Sequence, residues 1–493
     1  MKLLLPVVIP ILAGILVLVS KEIRKNRKMV TGLSAAVLAL ELVLVFTAVL
    51  SEDSLVLCRL TDTIDISFRI DDVSRLFAGL TTLMWFLVGI YATAYMEHEH
   101  DEYRFFGFYL MVEGVLMGID FSSNLITLYV FYELMTLTSL PLVLHELTKE
   151  AVQAGFKYLF YSVAGAFLAL FGIFFLASVS PSLEFTPGGV LDGRALAGKE
   201  GLLLASACCM VVGFGTKAGM FPLHGWLPTA HPVAPAPASA VMSGVITKAG
   251  ILAIIRVFYY IIGPDLIRGT WVQTVWMLLS LTTVFMGSML AYREQVFKKR
   301  LAFSTVSQVS YVMFGLSLLH PTAFAGALSH VVFHSVIKNG LFMSAGAVIE
   351  KTGWTRVEQM RGLGKVMPVT LACYTAVSLA LIGIPPASGF VSKWYLATGA
   401  LSSGTGIWGF LGPVVLLISA LLTAGYLLPI AIQGFFPGQD FDSSELKKRK
   451  LIGNEPSFRM VLPIMVLAIA AVLLGCFPGS LLQMITSIGD LVF

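Results

Sequence analysis

Apolar runs long enough to cross a bilayer alternate with short polar connectors along the whole chain. Roughly 20 apolar helical residues span the hydrocarbon core. Runs of that kind lie near 3–19, 29–50, 73–95, 105–120, 122–145, 156–180, 202–231, 237–262, 271–292, 300–319, 322–349, 366–401, 406–434 and 459–487. The pattern predicts an all-α integral membrane protein with about fourteen transmembrane helices. Runs 202–231 and 366–401 exceed one crossing, and each holds a Gly/Pro cluster: GFGTKAGMFPLHGWLP in the first and GIPPASGFVSKWYL in the second. Both are therefore predicted to be two half-helices with a break between them. The run from Leu3 to Val19 is followed by KEIRKNRK and no small-residue cleavage site, so it reads as a retained first helix. Segment 51–72 departs from the helical pattern: apolar and polar residues alternate from Leu60 to Ile70, predicting a short strand or hairpin at the membrane surface.

Charge gives the helices a direction. With the N-terminus outward, the inward loops are 20–28, 96–104, 146–155, 232–236, 293–299, 350–365 and 435–458. These loops and their edges hold most of the basic residues, among them Lys21, Arg104, Lys149, Arg293, Lys298, Arg300, Lys351, Arg361, Lys447, Lys448, Arg449 and Lys450. The outward side holds Lys2, Arg59, Arg69, Arg194, Lys199 and Arg268. That bias predicts both termini outward. The loop EHEHDEYR at 97–104 fits poorly because it is acidic, but acids weigh little in the rule.

Composition narrows the function. With 57% hydrophobic and 13% charged residues, the chain is too apolar for a soluble globule. Its five cysteines, Cys58, Cys208, Cys209, Cys373 and Cys476, form no CxxC pair or Cys/His cluster, so no metal or cofactor is expected. No GxxxxGK[ST] loop supports an ATP-driven pump, and no basic tract interleaved with aromatics suggests nucleic acid.

The ionisable residues left inside the apolar runs are Glu41, Glu113, Glu133, Lys217, His224, Lys248, Arg256, His330, His334, Lys338 and Lys393. A charge near the bilayer midplane costs at least ~2.5 to 3.5 kcal/mol on insertion scales, so it usually lines a polar path. Arg256, near the outward end of its run, is expected to snorkel to the surface. For Glu41 and Glu113 a structural or subunit-contact role stands level with a transport role. Glu133 lies too deep to snorkel, and Lys217, equally deep and beside a break, is its candidate partner; a buried structural salt bridge is the competing reading. Lys248 sits mid-run, and His330, His334 and Lys338 recur every four residues, on one face of a helix. Such a stripe suits a proton relay better than a sodium site, which wants several oxygens where acids are scarce. Two unit charges ~7 Å apart at an effective dielectric of ~20 interact by about 2.4 kcal/mol, so loosening a Glu133–Lys217 pair alters the proton affinity of Lys248 by ~10- to 100-fold.

At these residues the chain resembles the antiporter-like, proton-translocating subunit family shared by respiratory complex I, Mrp-type multisubunit cation/proton antiporters and membrane-bound energy-converting hydrogenases. The resemblance is carried by FYELMTLTSLPL with Glu133, by TKAGMFPLHGWLPTAHPVAPAPASA with Lys217, His224 and His231, and by SGVITKAGI with Lys248. It continues through HVVFHSVIKNGLF with His330, His334 and Lys338, and GIPPASGFVSKWYL with Lys393. It implies two inverted five-helix repeats, 104–262 and 271–434, each with a broken helix. These are flanked by N-terminal peripheral helices and an outward loop over 1–103, and by an inward basic loop and last helix over 435–493. It also implies a proton pathway in which Glu133 and Lys217 form the first half-channel pair and Lys248 the centre. His330, His334 and Lys338 are then the connection and Lys393 the second terminus, a position where other members carry Glu. Lys393 places the chain nearer the Mrp D-type and hydrogenase-type members, and the long lateral helix of some relatives is not expected. Thr229 stands where many relatives have Asp, which weakens the case for an acid at the inward mouth.

The function so implied is a proton-translocating subunit of an energy-converting complex in a prokaryotic inner membrane. Its expected partners are the lipid bilayer, other membrane subunits including further antiporter-like ones, and a peripheral iron–sulfur, hydrogenase or dehydrogenase arm if coupling is redox-driven. The alternative is a D-type subunit of a gradient-driven Na+/H+ antiporter. With no redox centre expected in this chain, membership of an oxidoreductase stays open.

Overall fold

The computed structural model describes residues 1–61, 64–193, 196–442, 444, 446 and 451–493. Arg194 and the basic run Lys447, Lys448, Arg449 and Lys450, used above to orient the chain, lie outside the described residues. Every predicted apolar run is helical. Among the described residues ten helices are long and apolar enough to cross a membrane, and Leu5–Val19 and Pro368–Ile382 are shorter apolar helices.

Local chemistry sets the helix ends. Asp71, Asn124 and Thr148 each accept a hydrogen bond from the backbone N–H three residues on, at 2.8, 2.8 and 3.2 Å, and so start helices Asp72–Tyr95, Leu125–Val143 and Lys149–Val179. These side chains satisfy N–H groups that a helix start leaves without partners. Both long runs break as expected. Glu200–Ala218 stops at Gly219 (φ +84°) and resumes as Leu227–Val233; Pro368–Ile382 stops at Gly383 (φ +93°) and resumes as Ser388–Ser402. Positive φ is the conformation glycine adopts without a Cβ clash. Helix Glu200–Ala218 crosses Lys149–Val179 where Gly165 and Gly213 face each other: a Cβ on either would lie within 2.7 Å of the other's carbonyl oxygen. Small residues permit such close crossings in a bilayer.

Three expectations need correction. The run 459–487 is not one helix: Phe458–Cys476 ends before Phe477-Pro478, and the amphipathic Gly479–Val492 follows, because the proline ring stops the first helix. The surface alternation is a hairpin that starts earlier than Leu60, with Ser54–Arg59 antiparallel to Asp65–Arg69 and Leu55 opposite Phe68. Arg256 does not snorkel. It is 1% exposed, its guanidinium donates to both Asp71 carboxylate oxygens at 2.5 and 2.8 Å, and it lies 4.8 Å from the centres of the Phe185 and Tyr260 rings. Asp71, fixed as a helix cap at the same level, supplies a forked partner that water cannot match.

Two helices are enclosed by the rest. Over its most apolar stretch Ala236–Ile262 is entirely buried, and Pro321–Thr352 is 94% buried. Ala236–Ile262 widens into π-helical turns at Met242–Ile246 and Arg256–Ile262, and Lys248 lies two residues past the first. Wide turns of this kind often mark functional positions.

Candidate proton pathway

Lys217 projects from the last turn of Glu200–Ala218 into a cage of hydroxyls. Its Nζ donates to Tyr158 Oη at 2.7 Å, Thr136 Oγ1 at 2.9 Å and Ser162 Oγ at 3.2 Å, and sits 4.4 Å from the centre of the Tyr158 ring. The expected contact with Glu133 is not made: no ion pair within 4 Å joins them, and Glu133 Oε1 has no hydrogen-bond partner among the described residues. Glu133 is only half-buried, next to the exposed Leu134 and Leu137, whereas Lys217 is 1% exposed. The two still feel each other electrostatically. Three neutral oxygens inside the bundle hold the ammonium closer than the carboxylate at its edge does.

Lys248 lies on the neighbouring helix, which approaches so closely that a Cβ on Gly250 would touch Lys217 Cβ at 3.3 Å. No side-chain hydrogen bond among the described residues links the two lysines. Lys248 Nζ donates to the Ser243 carbonyl at 2.6 Å and shares a 2.7 Å hydrogen bond with His334 Nδ1. The His334 ring stacks on His330 at 5.9 Å, and His330 stacks on Tyr311 at 5.5 Å. Lys393 Nζ lies 5.3 Å from the centre of the same Tyr311 ring. His330 Nδ1 also bonds Ser392 Oγ at 2.9 Å, next to Lys393 in sequence. Lys248, His334, His330 and Lys393 thus form one contiguous row.

The rest of the predicted stripe divides. Lys338 shares a helix face with both histidines, yet it donates to Ser304 Oγ at 2.7 Å and the Leu301 carbonyl at 3.1 Å, beside rather than within the row. Lys393 donates to the carbonyls of Leu381 and Ile382 at 2.6 and 2.8 Å, which the break at Gly383 leaves without helical partners. His224 stays in the first break, stacked 6.1 Å from Phe221 and remote from the row's hydrogen bonds. Glu41 and Glu113 lie within electrostatic reach of each other among the N-terminal helices, and none of their carboxyl oxygens is hydrogen-bonded among the described residues.

Sequence reasoning missed Thr136, Tyr158, Ser162 and Tyr311, whose hydroxyls and ring become relevant only once helices distant in sequence are packed. It also missed the full burial of His231, and it misplaced Lys298. The run Lys298-Lys299-Arg300 reads as an inward loop, but helix Phe297–Ser317 has already begun, and Lys298 is 7% exposed, donating to the carbonyls of Pro232 and Ala234.

The chain belongs to the family described as NADH:quinone oxidoreductase/Mrp antiporter, TM, whose profile matches residues 122–423. A second profile, the N-terminus of NADH-ubiquinone oxidoreductase (complex I) chain 5, matches residues 61–106. The chain is 32% identical over 418 residues to NADH-quinone oxidoreductase subunit N of Desulforudis audaxviator, covering 83% of this chain and 80% of that one. It is 28% identical over 492 residues to the D-type subunit of the Na(+)/H(+) antiporter of Alkalihalophilus pseudofirmus, covering 99% and 96%. Its fold is that of a chain in the Mrp complex from Dietzia sp. DQ12-45-1b, with a TM-score of 0.84, 23% identity and coverage of 99% and 97%.

Proposed function

We propose that this protein moves protons as one membrane subunit of a multisubunit energy-converting complex in a prokaryotic inner membrane. It crosses the membrane fourteen times with both termini outward, and it is built from two inverted five-helix repeats over 104–262 and 271–434. The observation that carries this reading is the row Lys248–His334–His330–Lys393, buried except for the half-buried Lys393. It joins the centre of one enclosed helix to the broken helix of the other repeat through a 2.7 Å hydrogen bond and stacked rings. Its members exchange protons, and none needs a fixed counter-charge to stay buried when neutral.

Glu133 and Lys217 stand at the start of the row. With Lys217 held in its hydroxyl cage, its charge stays unpaired inside the bundle and disfavours a proton on Lys248; with Lys217 drawn to Glu133, that repulsion is relieved. Switching between the two positions loads and unloads Lys248, and the proton passes through His334 and His330 to Lys393. Redox coupling through a peripheral arm is favoured by the 32% identity to an NADH-quinone oxidoreductase subunit. Gradient-driven Na+/H+ exchange is the second reading, favoured by the near full-length match to a D-type antiporter subunit.

The test is His334→Ala in the assembled complex reconstituted in vesicles. Loss of the relay step slows pH-gradient formation by at least ~10-fold with the amount of complex unchanged. Assembly that falls in proportion to activity would make His334 a packing residue and remove the row from the pathway.

A further inference from the structure

The row needs an inlet from the inward side, and the pathway residues supply no acid there. Thr229 does not stand in for one, because its hydroxyl donates back to the carbonyls of Trp226 and Gly225 at 2.8 and 3.1 Å. A separate cavity of about 260 Å³ opens between the end of helix Asp72–Tyr95, the loop after Leu125–Val143 and the Pro232–Pro235 turn. Two carboxylic acids, Glu99 and Glu146, line it and lie within electrostatic reach of each other. Neither appears among the salt-bridge partners of the described residues.

The inner wall of the cavity points toward the row. Lys298 Nζ lies there, held by the Pro232 and Ala234 carbonyls and facing both acids. Behind it sits His231, 0% exposed, stacked 4.8 Å from Phe342, with neither ring nitrogen hydrogen-bonded among the described residues. His231 lies within electrostatic reach of both Lys298 and Lys338, and Lys338 within reach of Lys248. A fully buried imidazole without a partner is costly unless water or a proton-exchanging neighbour visits it.

We infer that this cavity is the inward proton inlet of the chain, and that Glu99 and Glu146 act together as its proton-collecting group. The inference rests on the proton-pathway reading above. Each cycle binds one proton from the inward solution to the carboxyl pair. The proton then leaves through cavity water past Lys298 toward His231 and Lys338, restoring the pair. The groups facing Glu99 are Glu146, Lys298 and the Tyr95 hydroxyl. Burial first, and Glu146 next, hold Glu99 above its ordinary value of 4.5, outweighing the opposing pull of Lys298 and Tyr95. Two acids that share a proton hold it at a pH where a lone surface carboxylate has lost it.

The experiment measures pH-gradient formation against pH by the reconstituted complex carrying Glu99→Gln with Glu146→Gln. A single Glu146→Gln variant, altered only at an exposed side chain, guards against misfolding. A lost collector matters most where protons are scarce. The double variant is expected to match wild type within about two-fold near pH 6 and fall at least about five-fold near pH 8.5, with the single variant between them. A high concentration of small mobile buffer on the inward side should restore the alkaline rate. Activity equal to wild type at every pH overturns the inference. So does a uniform loss that buffer does not rescue, which would make the pair structural. Lys248→Ala is run alongside: normal pumping by that variant overturns the row itself, whereas a dead Lys248→Ala with a pH-indifferent double glutamine variant overturns only the inlet.

Discussion

Arg256 and Lys217 are both cations with 1% of their surface exposed, and the fold treats them in opposite ways. Arg256 is locked to Asp71 by a forked ion pair and wedged between two aromatic rings. Lys217 is given three hydroxyls and no carboxylate within 4 Å, although Glu133 is within electrostatic reach. The chain is therefore able to neutralise a buried cation outright and does so where the charge has only to hold helices together. Neutral hydroxyls at Lys217 leave the ammonium free to exchange partners, and they stabilise it whether or not it carries its proton. Lys393 follows Lys217: its ligands are two uncharged backbone carbonyls.

The sharpest way to break this contrast is to remove the exchangeable pair. Lys217→Ala and Glu133→Ala should each reduce proton-coupled activity to background, a loss of at least ~100-fold, with the complex still assembled. Activity is measured as pH-gradient formation per assembled complex in vesicles. Normal turnover in both variants would mean that Lys217 is as structural as Arg256.

Asp71→Asn should do the reverse. Removing one partner of a largely buried ion pair leaves Arg256 uncompensated and lowers stability by about 3 kcal/mol, while activity per folded complex stays within about two-fold. Asp71 caps its helix outside the span. Burial works against its charge, but Arg256 and the Ser74 hydrogen bonds outweigh this and hold it at about 2, down from 3.8. The sign follows from the depressed value: the pair contributes in full above pH 3.8, and its contribution is lost as pH falls through 3.8 toward about 2. Acid unfolding of the detergent-solubilised protein should therefore show a loss over that interval in wild type that the variant lacks.

These two sites also mark how far the sequence was legible. Both helix breaks were, because the Gly/Pro clusters and the lysines beside them are local features, and the His330–Lys338 spacing placed three side chains on one face. What the spacing did not contain was the partner of each. Asp71 lies 185 residues from Arg256, and Tyr158 lies 59 from Lys217, so an ion pair expected from depth and charge gave way to hydroxyls on two other helices. Lys298 failed for a different reason. Three consecutive basic residues look like a loop, while in the helix they point different ways, with Lys299 paired to Glu294 and Lys298 turned inward to backbone carbonyls.

Lys393 sharpens the contrast within the row. Arginine donates to backbone carbonyls as well as lysine does, but a guanidinium does not release its proton. If Lys393 passes protons, Lys393→Arg should be as damaging as Lys393→Ala, about 10-fold or more in pH-gradient formation normalised to assembled protein. Near-wild-type pumping by the arginine variant would make Lys393 a fixed anchor of the break at Gly383 and move it to the side of Arg256.

The smallest expected effect tests whether the hydroxyl cage itself matters. Tyr158→Phe keeps the ring that lies 4.4 Å from Lys217 Nζ and the packing around it, and removes the 2.7 Å bond to Nζ together with the 2.7 Å bond to Ser139. One hydrogen bond to an ammonium is worth about 1.5 kcal/mol, so the caged position of Lys217 should weaken, and turnover should fall by about ten-fold or less. Tyr311→Phe is the matched change at the second break. The Tyr311 hydroxyl points away from Lys393 to the Leu416 carbonyl, 2.8 Å away, and Lys393 keeps both of its carbonyl ligands. That variant should pump within about two-fold of wild type, since it loses no bond to the lysine. Equal damage from the two substitutions would show that the tyrosines serve packing at both breaks, and the distinction between side-chain ligands at Lys217 and backbone ligands at Lys393 would carry no functional weight.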